Sequence, residues 1–156
     1  MAEFFTSVFF VRMVTSFICS AAFVLLFKAA PRHLLPAGLA GMLTYFVYYL
    51  VLFLGGHVFA AALFSTAAGA VFSEIYARMH RAPVIVTLCG AIIPIVPGGD
   101  LYYTMQHALA SNGAMSLEYL WRTLSIALGM AGGIVVVALV FRIACDKIAE
   151  LRLKRN

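Results

Sequence analysis

Charge is what this sequence has least of. Lys and Arg number 11 and Asp and Glu 6, together 11% of the 156 residues. A water-soluble domain carries about 25% charged residues, so this chain lacks the polar surface that would keep it dissolved. Separators are scarce as well: no low-complexity segment, internal repeat or long linker divides the chain, which reads as one domain over 1–156. Cysteine is confined to Cys19, Cys89 and Cys145 without CxxC spacing, which argues against a disulfide framework or a structural metal. His33, His57, His80 and His107 fall at the ends of apolar runs, where wetted imidazoles are cheap, and none has HExxH spacing. No Ser/His/Asp set, paired carboxylates or GxxxxGK[ST] loop stands out. The expectation is a protein that is not an enzyme and holds no metal or cofactor.

What is present is apolar length. Hydrophobic residues make up 64% of the chain, with a mean hydropathy of +1.01. Five apolar windows lie at about 4–27, 34–54, 57–77, 83–109 and 123–144, each reaching the roughly 20 residues that cross a ~30 Å hydrocarbon core as a helix. The first is longer than a signal-peptide apolar region and its leader MAEFF has no basic residue, so it reads as a true span. The fold class is therefore all-α: a polytopic membrane protein with about five transmembrane helices, embedded in a lipid bilayer.

Basic residues set the orientation. If the spans alternate, every Lys and Arg except Arg12 and Arg122 falls on one side, in the linkers after spans one and three and in the tail. The positive-inside rule assigns that side to the cytoplasm, with the N-terminus outside and the C-terminus inside. Tyr119 and Trp121 then fall at the outer interface, where amphipathic rings settle. Topology thus accounts for the net charge of +5 and a pI near 9.4, and nucleic-acid binding is not expected. Two stripes of small residues, Ala61, Ser65, Gly69, Ser73 in span three and Ser125, Gly129, Gly133 in span five, mark close helix packing, within the chain or in a higher oligomer. Glu74 and Arg78 have the spacing of a helix ion pair.

Span four holds the unusual residues. IIPIVPGGDLYYTM, 92–105, places Pro94, Pro97, Gly98, Gly99 and Asp100 inside an apolar run. Proline removes a helical hydrogen bond and clashes with the previous turn, and in hydrocarbon each freed polar group costs several kcal/mol unless protein or trapped water satisfies it. The sequence predicts a helix broken at Pro-Gly-Gly, facing the bundle interior or a wet cavity. A helix restarting near Gly99 would offer bare N–H groups to an anion such as a substrate carboxylate, with Tyr102 one turn on. Asp100 is either the cap of that restart or a group that binds a substrate ammonium or a proton. Arg12, about eight residues into span one, is costly to insert; it snorkels to the headgroups, pairs with Asp100, or binds an anionic substrate. The candidate substrate-binding residues are therefore Pro94, Pro97, Gly98, Gly99, Asp100, Tyr102 and Arg12.

The block SEIYARMHRAPVIVTLCGAIIPIVPGGDLYYTM, 73–105, resembles the small membrane subunit of the threonine/serine exporter family. The pattern is an A-P helix entry, an apolar run, then I-P-x-x-P-G-x-x-x-Y-x-x-M, matched by Ala82, Pro83, Pro94, Pro97, Gly98, Tyr102 and Met105; AGLAG at 37–41 also fits. Asp100 stands where the family usually has a small or weakly polar residue, and Arg12 belongs to none of its motifs. The resemblance implies a gradient-driven secondary exporter in the bacterial inner membrane, acting with a larger exporter-family membrane subunit. Its substrate would be a small carboxylate metabolite, an amino acid such as threonine or serine, or the dicarboxylate succinate. The other reading from the residues is a non-transporting scaffold or assembly subunit whose kinked helix only packs.

The charge asymmetry yields a direct test of orientation. A reporter fused after Asn156 should be active only in the cytoplasm, and activity confined to the periplasm would reverse the assignment.

Overall fold

The computed structural model describes residues 7–155, with side chains at 8–145 and 147. Six helices and no strand occur among them: α1 Ser7–Leu26, α2 Leu34–Phe53, α3 Val58–His80, α4 Val84–Ile92, α5 Gly98–Leu109 and α6 Gly113–Arg155. Short 3-10 turns precede α2 at Pro31–His33 and follow α4 at Ile93–Ile95. Four segments are long and apolar enough to span a membrane: Val8–Leu26, Pro31–Phe53, Val58–His80 and Gly113–Cys145. The fifth is the bent pair Val84–Ile95 and Gly98–Leu109, whose halves meet at 47°. The protein is an all-α, polytopic membrane protein with its fourth span broken at the prolines.

The helix ends follow local chemistry. α1 is followed by Lys28 at φ 53°, and α3 closes on Arg81 at φ 50°, with the Ala82 N–H donating to Ala77 O at 3.0 Å. Placing a cation there suits the exposed carbonyls and the negative end of the helix dipole. α6 begins ten residues before the expected window because Asn112 starts it: Ser116 N–H donates to its backbone oxygen at 3.1 Å, and Met115 N–H to its Oδ1 at 3.4 Å. Glu118 and Arg122 lower the hydropathy of that first stretch without opposing the helix. At 43 residues, α6 is about 65 Å long, roughly twice the hydrocarbon thickness.

Packing is inverted relative to a soluble domain. Val24 apart, the fully buried positions are small (Ala37, Ala40, Ala61, Ala62, Ser65, Thr66), whereas many Leu, Ile and Val side chains point outward along every long helix. That is the arrangement lipid favours, because large apolar groups gain nothing by leaving hydrocarbon while small ones let backbones approach. Gly129 and Gly133 press α6 onto α3: a Cβ built on either would lie 2.6 Å from the carbonyl oxygens of Phe59 and Leu63 respectively. Gly90 on α4 meets Ala37 of α2, its Cβ position lying 2.8 Å from that methyl, and Gly41 of α2 lies against Ser20 and the Gly90 carbonyl. The span-three stripe serves contacts within the chain, with Ala61, Ser65, Gly69 and Ser73 all buried; Gly129 and Gly133 are buried too, whereas Ser125 is only partly buried and donates to the Trp121 carbonyl.

Glu74 and Arg78 form the expected pair at 3.1 Å. Arg78 also donates to Cys145 Sγ at 2.9 Å and lies over the Phe141 ring, 4.6 Å from its centroid, so the pair ties α3 to α6. His33 departs from expectation. It is buried rather than wetted, hydrogen-bonded to Arg32 and Tyr76, because the 3-10 turn rolls it under the end of α3.

The glycine contacts predict a stability effect. Gly133→Val puts a branched side chain against α3 backbone and should lower stability in detergent by about 1–3 kcal/mol, the usual range for overpacking. Thermal unfolding of the purified variant measures it; an unchanged midpoint would mean the α3–α6 contact is looser than described.

Candidate functional site at the broken helix

The break is assembled from two missing N–H groups. Pro94 leaves the Gly90 carbonyl without its helical donor, and the chain tightens into the 3-10 turn Ile93–Ile95. Pro97, at φ −79° and ψ 50°, then starts α5 as its N-cap without a side-chain cap. Val96 N–H donates to Ile93 O at 3.3 Å, Gly98 N–H to Val96 O at 2.8 Å and Leu101 N–H to Pro97 O at 3.0 Å. Among the described residues, the N–H groups of Gly99 and Asp100 find no backbone acceptor. A Cβ at Gly98 or Gly99 would meet nothing within 4 Å, and both residues are exposed. Packing inside this chain therefore does not require glycine at either position, and the space beside them is open.

Asp100 is not the helix cap. It sits in the first turn of α5, where its carboxylate faces the positive end of the helix dipole. Nor does it pair with Arg12. Its Oδ2 accepts from Arg122 Nε on α6 at 3.1 Å, and Arg12 is exposed on α1 with no ion pair among the described residues. The register of the α5–α6 hairpin decides this. Ser116 Oγ donates to Thr104 O at 2.9 Å, the Tyr103 and Tyr119 rings lie 5.3 Å apart, and His107 stacks on Tyr119 at 5.5 Å. These contacts fix α5 against α6 and bring residue 122 beside residue 100.

The pair is asymmetric in exposure. The Asp100 side chain is 18% exposed and that of Arg122 53%, so the guanidinium reaches open space while the carboxylate is held behind it. Tyr48 of α2 lies within electrostatic range of both and packs against the buried cluster of Ala62, Ile95 and Ile126. Tyr102 is 63% exposed, with its ring edge on Tyr103 at 5.6 Å, and does not close over the break. Pro94 and Pro97 are partly buried at the bend. Arg122 and Tyr48 are the site residues that sequence reasoning missed. Arg122 could have been found as the basic residue between spans four and five, on the same expected side as Asp100.

The arrangement places N–H groups without backbone acceptors and a carboxylate–guanidinium pair together at one break in a membrane helix. Discontinuous helices with this equipment are how many secondary transporters hold polar solutes within the bilayer. The fold is that of an all-α, polytopic membrane protein. Comparison with known sequences gives the family: the family described as "Threonine/Serine exporter, ThrE" matches residues 12–140, and the chain belongs to it. A threonine/serine exporter of Corynebacterium glutamicum is 30% identical over 127 residues, covering 81% of this chain and 26% of that protein. The chain thus spans about a quarter of the length of the curated relative it matches. No solved structure matches. Membership points to transport rather than enzymic chemistry.

The ion pair can be checked by a double-mutant cycle. Asp100→Asn and Arg122→Gln should each lower stability by no more than about 1 kcal/mol, with a favourable coupling of about 0.5–1 kcal/mol between them. Thermal unfolding of the four proteins measures it. A coupling of zero, or an equal coupling of Asp100 to Arg12, would displace Arg122 from the site.

Proposed function

We propose that this chain is one subunit of a heteromeric secondary exporter for small carboxylate-bearing metabolites in the bacterial inner membrane. The observation that carries the reading is the break at Pro97, with the N–H groups of Gly99 and Asp100 lacking backbone acceptors and the Asp100–Arg122 pair beside them. A substrate carboxylate approaching Gly98 and Gly99 meets those N–H groups, the positive end of the α5 dipole and the exposed guanidinium of Arg122. A substrate ammonium meets Asp100. An amino acid such as threonine or serine uses both halves, whereas succinate uses only the cationic one, so the site favours the zwitterion. Pro94 and Pro97 hold the opening, and Tyr102 and Arg12, both exposed, are contacts a substrate or partner meets outside it.

A larger exporter-family membrane subunit completes the pathway in this reading. The open space beside Gly98 and Gly99 lies on the outer surface of the chain, and a second subunit over that face would turn an exposed notch into an enclosed site. The positive-inside arrangement puts the N-terminus outside and the C-terminus in the cytoplasm.

Gly98→Leu tests the reading. Because a side chain there meets nothing in the chain, the variant should insert and fold normally, and co-purification with the larger subunit is measured beside export to separate lost pairing from a blocked site. It would nevertheless block approach to the free N–H groups. Export of threonine and serine from cells, at matched membrane abundance and with the larger subunit present, should fall to background. Wild-type export from Gly98→Leu would make the break a packing kink and place substrate elsewhere.

A further inference from the structure

The opposite end of the bundle carries a mostly apolar cleft with a few polar groups, which the broken helix does not involve. It lies between the start of α2 and the end of α3, has a volume of about 520 Å³, and is lined by Arg32, His33, Leu39, Phe72, Tyr76 and His80 among others. That volume is within the range of small-molecule sites. Tyr48, at the break, lies twelve residues beyond Pro36 of this cleft, about 18 Å along the α2 axis. The two places are separate.

The hydrogen bonds fix which atoms are available. Arg32 Nε donates to His33 Nε2 at 3.1 Å. A guanidinium has only donors, so Nε2 holds a lone pair and His33 carries its proton on Nδ1. That proton goes to the Tyr76 hydroxyl oxygen, 3.1 Å away. Tyr76 then accepts from His33 and keeps its own proton for a further acceptor, which no described residue provides. Its ring is held in place by His80, stacked at 4.3 Å, and by His33, edge-on at 6.0 Å. His33 is 5% exposed, so the relay is anchored on a buried ring between the exposed Arg32 and the half-buried Tyr76. Arg32 retains its four Nη–H donors, unclaimed by any described residue. No carboxylate is among the residues lining the cleft, so nothing there balances its positive charge.

We propose that this cleft is a second ligand site, for a small carboxylate anion. The Arg32 fork and the Tyr76 hydroxyl bind the carboxylate oxygens, and Leu39 and Phe72 receive a short carbon chain. The absence of an acidic lining residue distinguishes it chemically from the break: it recognises the anionic end of a metabolite and offers no partner to an ammonium. The claim concerns binding to this chain and stands whether or not export through the break is found.

The test uses the full chain, labelled at histidine, in phosphatidylcholine nanodiscs, with the His33 and His80 ring resonances followed by NMR. Succinate is the probe, titrated at constant ionic strength against chloride. Both rings should shift saturably with succinate and not with chloride. Arg32→Gln should weaken the apparent affinity by about 10-fold or more, as expected for a lost charged hydrogen bond. Tyr76→Phe, which removes one hydroxyl and leaves the ring stack, should also weaken it, by less. The proposal is overturned if no saturable shift is seen with succinate, or if Arg32→Gln binds as well as the unaltered chain. It is also overturned if the rings respond to phosphatidylglycerol in the disc and not to succinate, which would make the cleft a lipid headgroup site.

Discussion

Backbone-to-backbone contact at glycine is the interaction on which the rest of this structure depends. In lipid, helices gain no hydrophobic energy by associating, so they are held by dispersion and polar contacts that require close approach. Gly129 and Gly133 bring α6 to the carbonyls of α3, and Gly41 and Gly90 bring α2 to α4. With those surfaces matched, the large apolar side chains remain free to face hydrocarbon. The same closeness places the carbonyl freed by Pro94, that of Gly90, against Gly41 rather than against lipid. A break in a spanning helix is tolerable only where protein surrounds the exposed polar groups, and the α4 half of this one is surrounded.

The α5 half is treated differently. The N–H groups of Gly99 and Asp100 have no backbone acceptor among the described residues, and a carboxylate–guanidinium pair is mounted beside them rather than a capping side chain. An Asp that capped the helix would have consumed those donors. Asp100 in the first turn stabilises the helix electrostatically and leaves them free. The two prolines therefore have unlike consequences within a few residues: one carbonyl buried by packing, one set of amides left available.

Much of this was legible in the sequence, and the misses share one cause. Apolar length reports spans directly, so all five were found, and the prolines mark the break because no helix hides them. The small-residue stripes and the Glu74–Arg78 pair were legible because each lies within a single helix and depends on spacing alone. What the sequence could not supply was the register between helices. Asp100 had two cations on its expected side, Arg12 and Arg122, and only the docking of Tyr103 and His107 on Tyr119 selects the second. His33 looked like a wetted span-end residue because its partner, Tyr76, lies 43 positions away on another helix. The early start of α6 was hidden by Glu118 and Arg122, charges that suppress hydropathy while leaving helix formation untouched.

The bend has a mechanical side. α4 is clasped by α1, α2 and α3, whereas the extensive neighbour of α5 is α6 alone. The two halves of one span are thus held mainly by different helices and joined by Val96 and Pro97. A relative displacement of α4 and α5 would be taken up at that two-residue joint. A continuous helix would resist such a shift along its whole ladder of hydrogen bonds. Here the ladder is interrupted at Val96 and Pro97, so the span would yield there first.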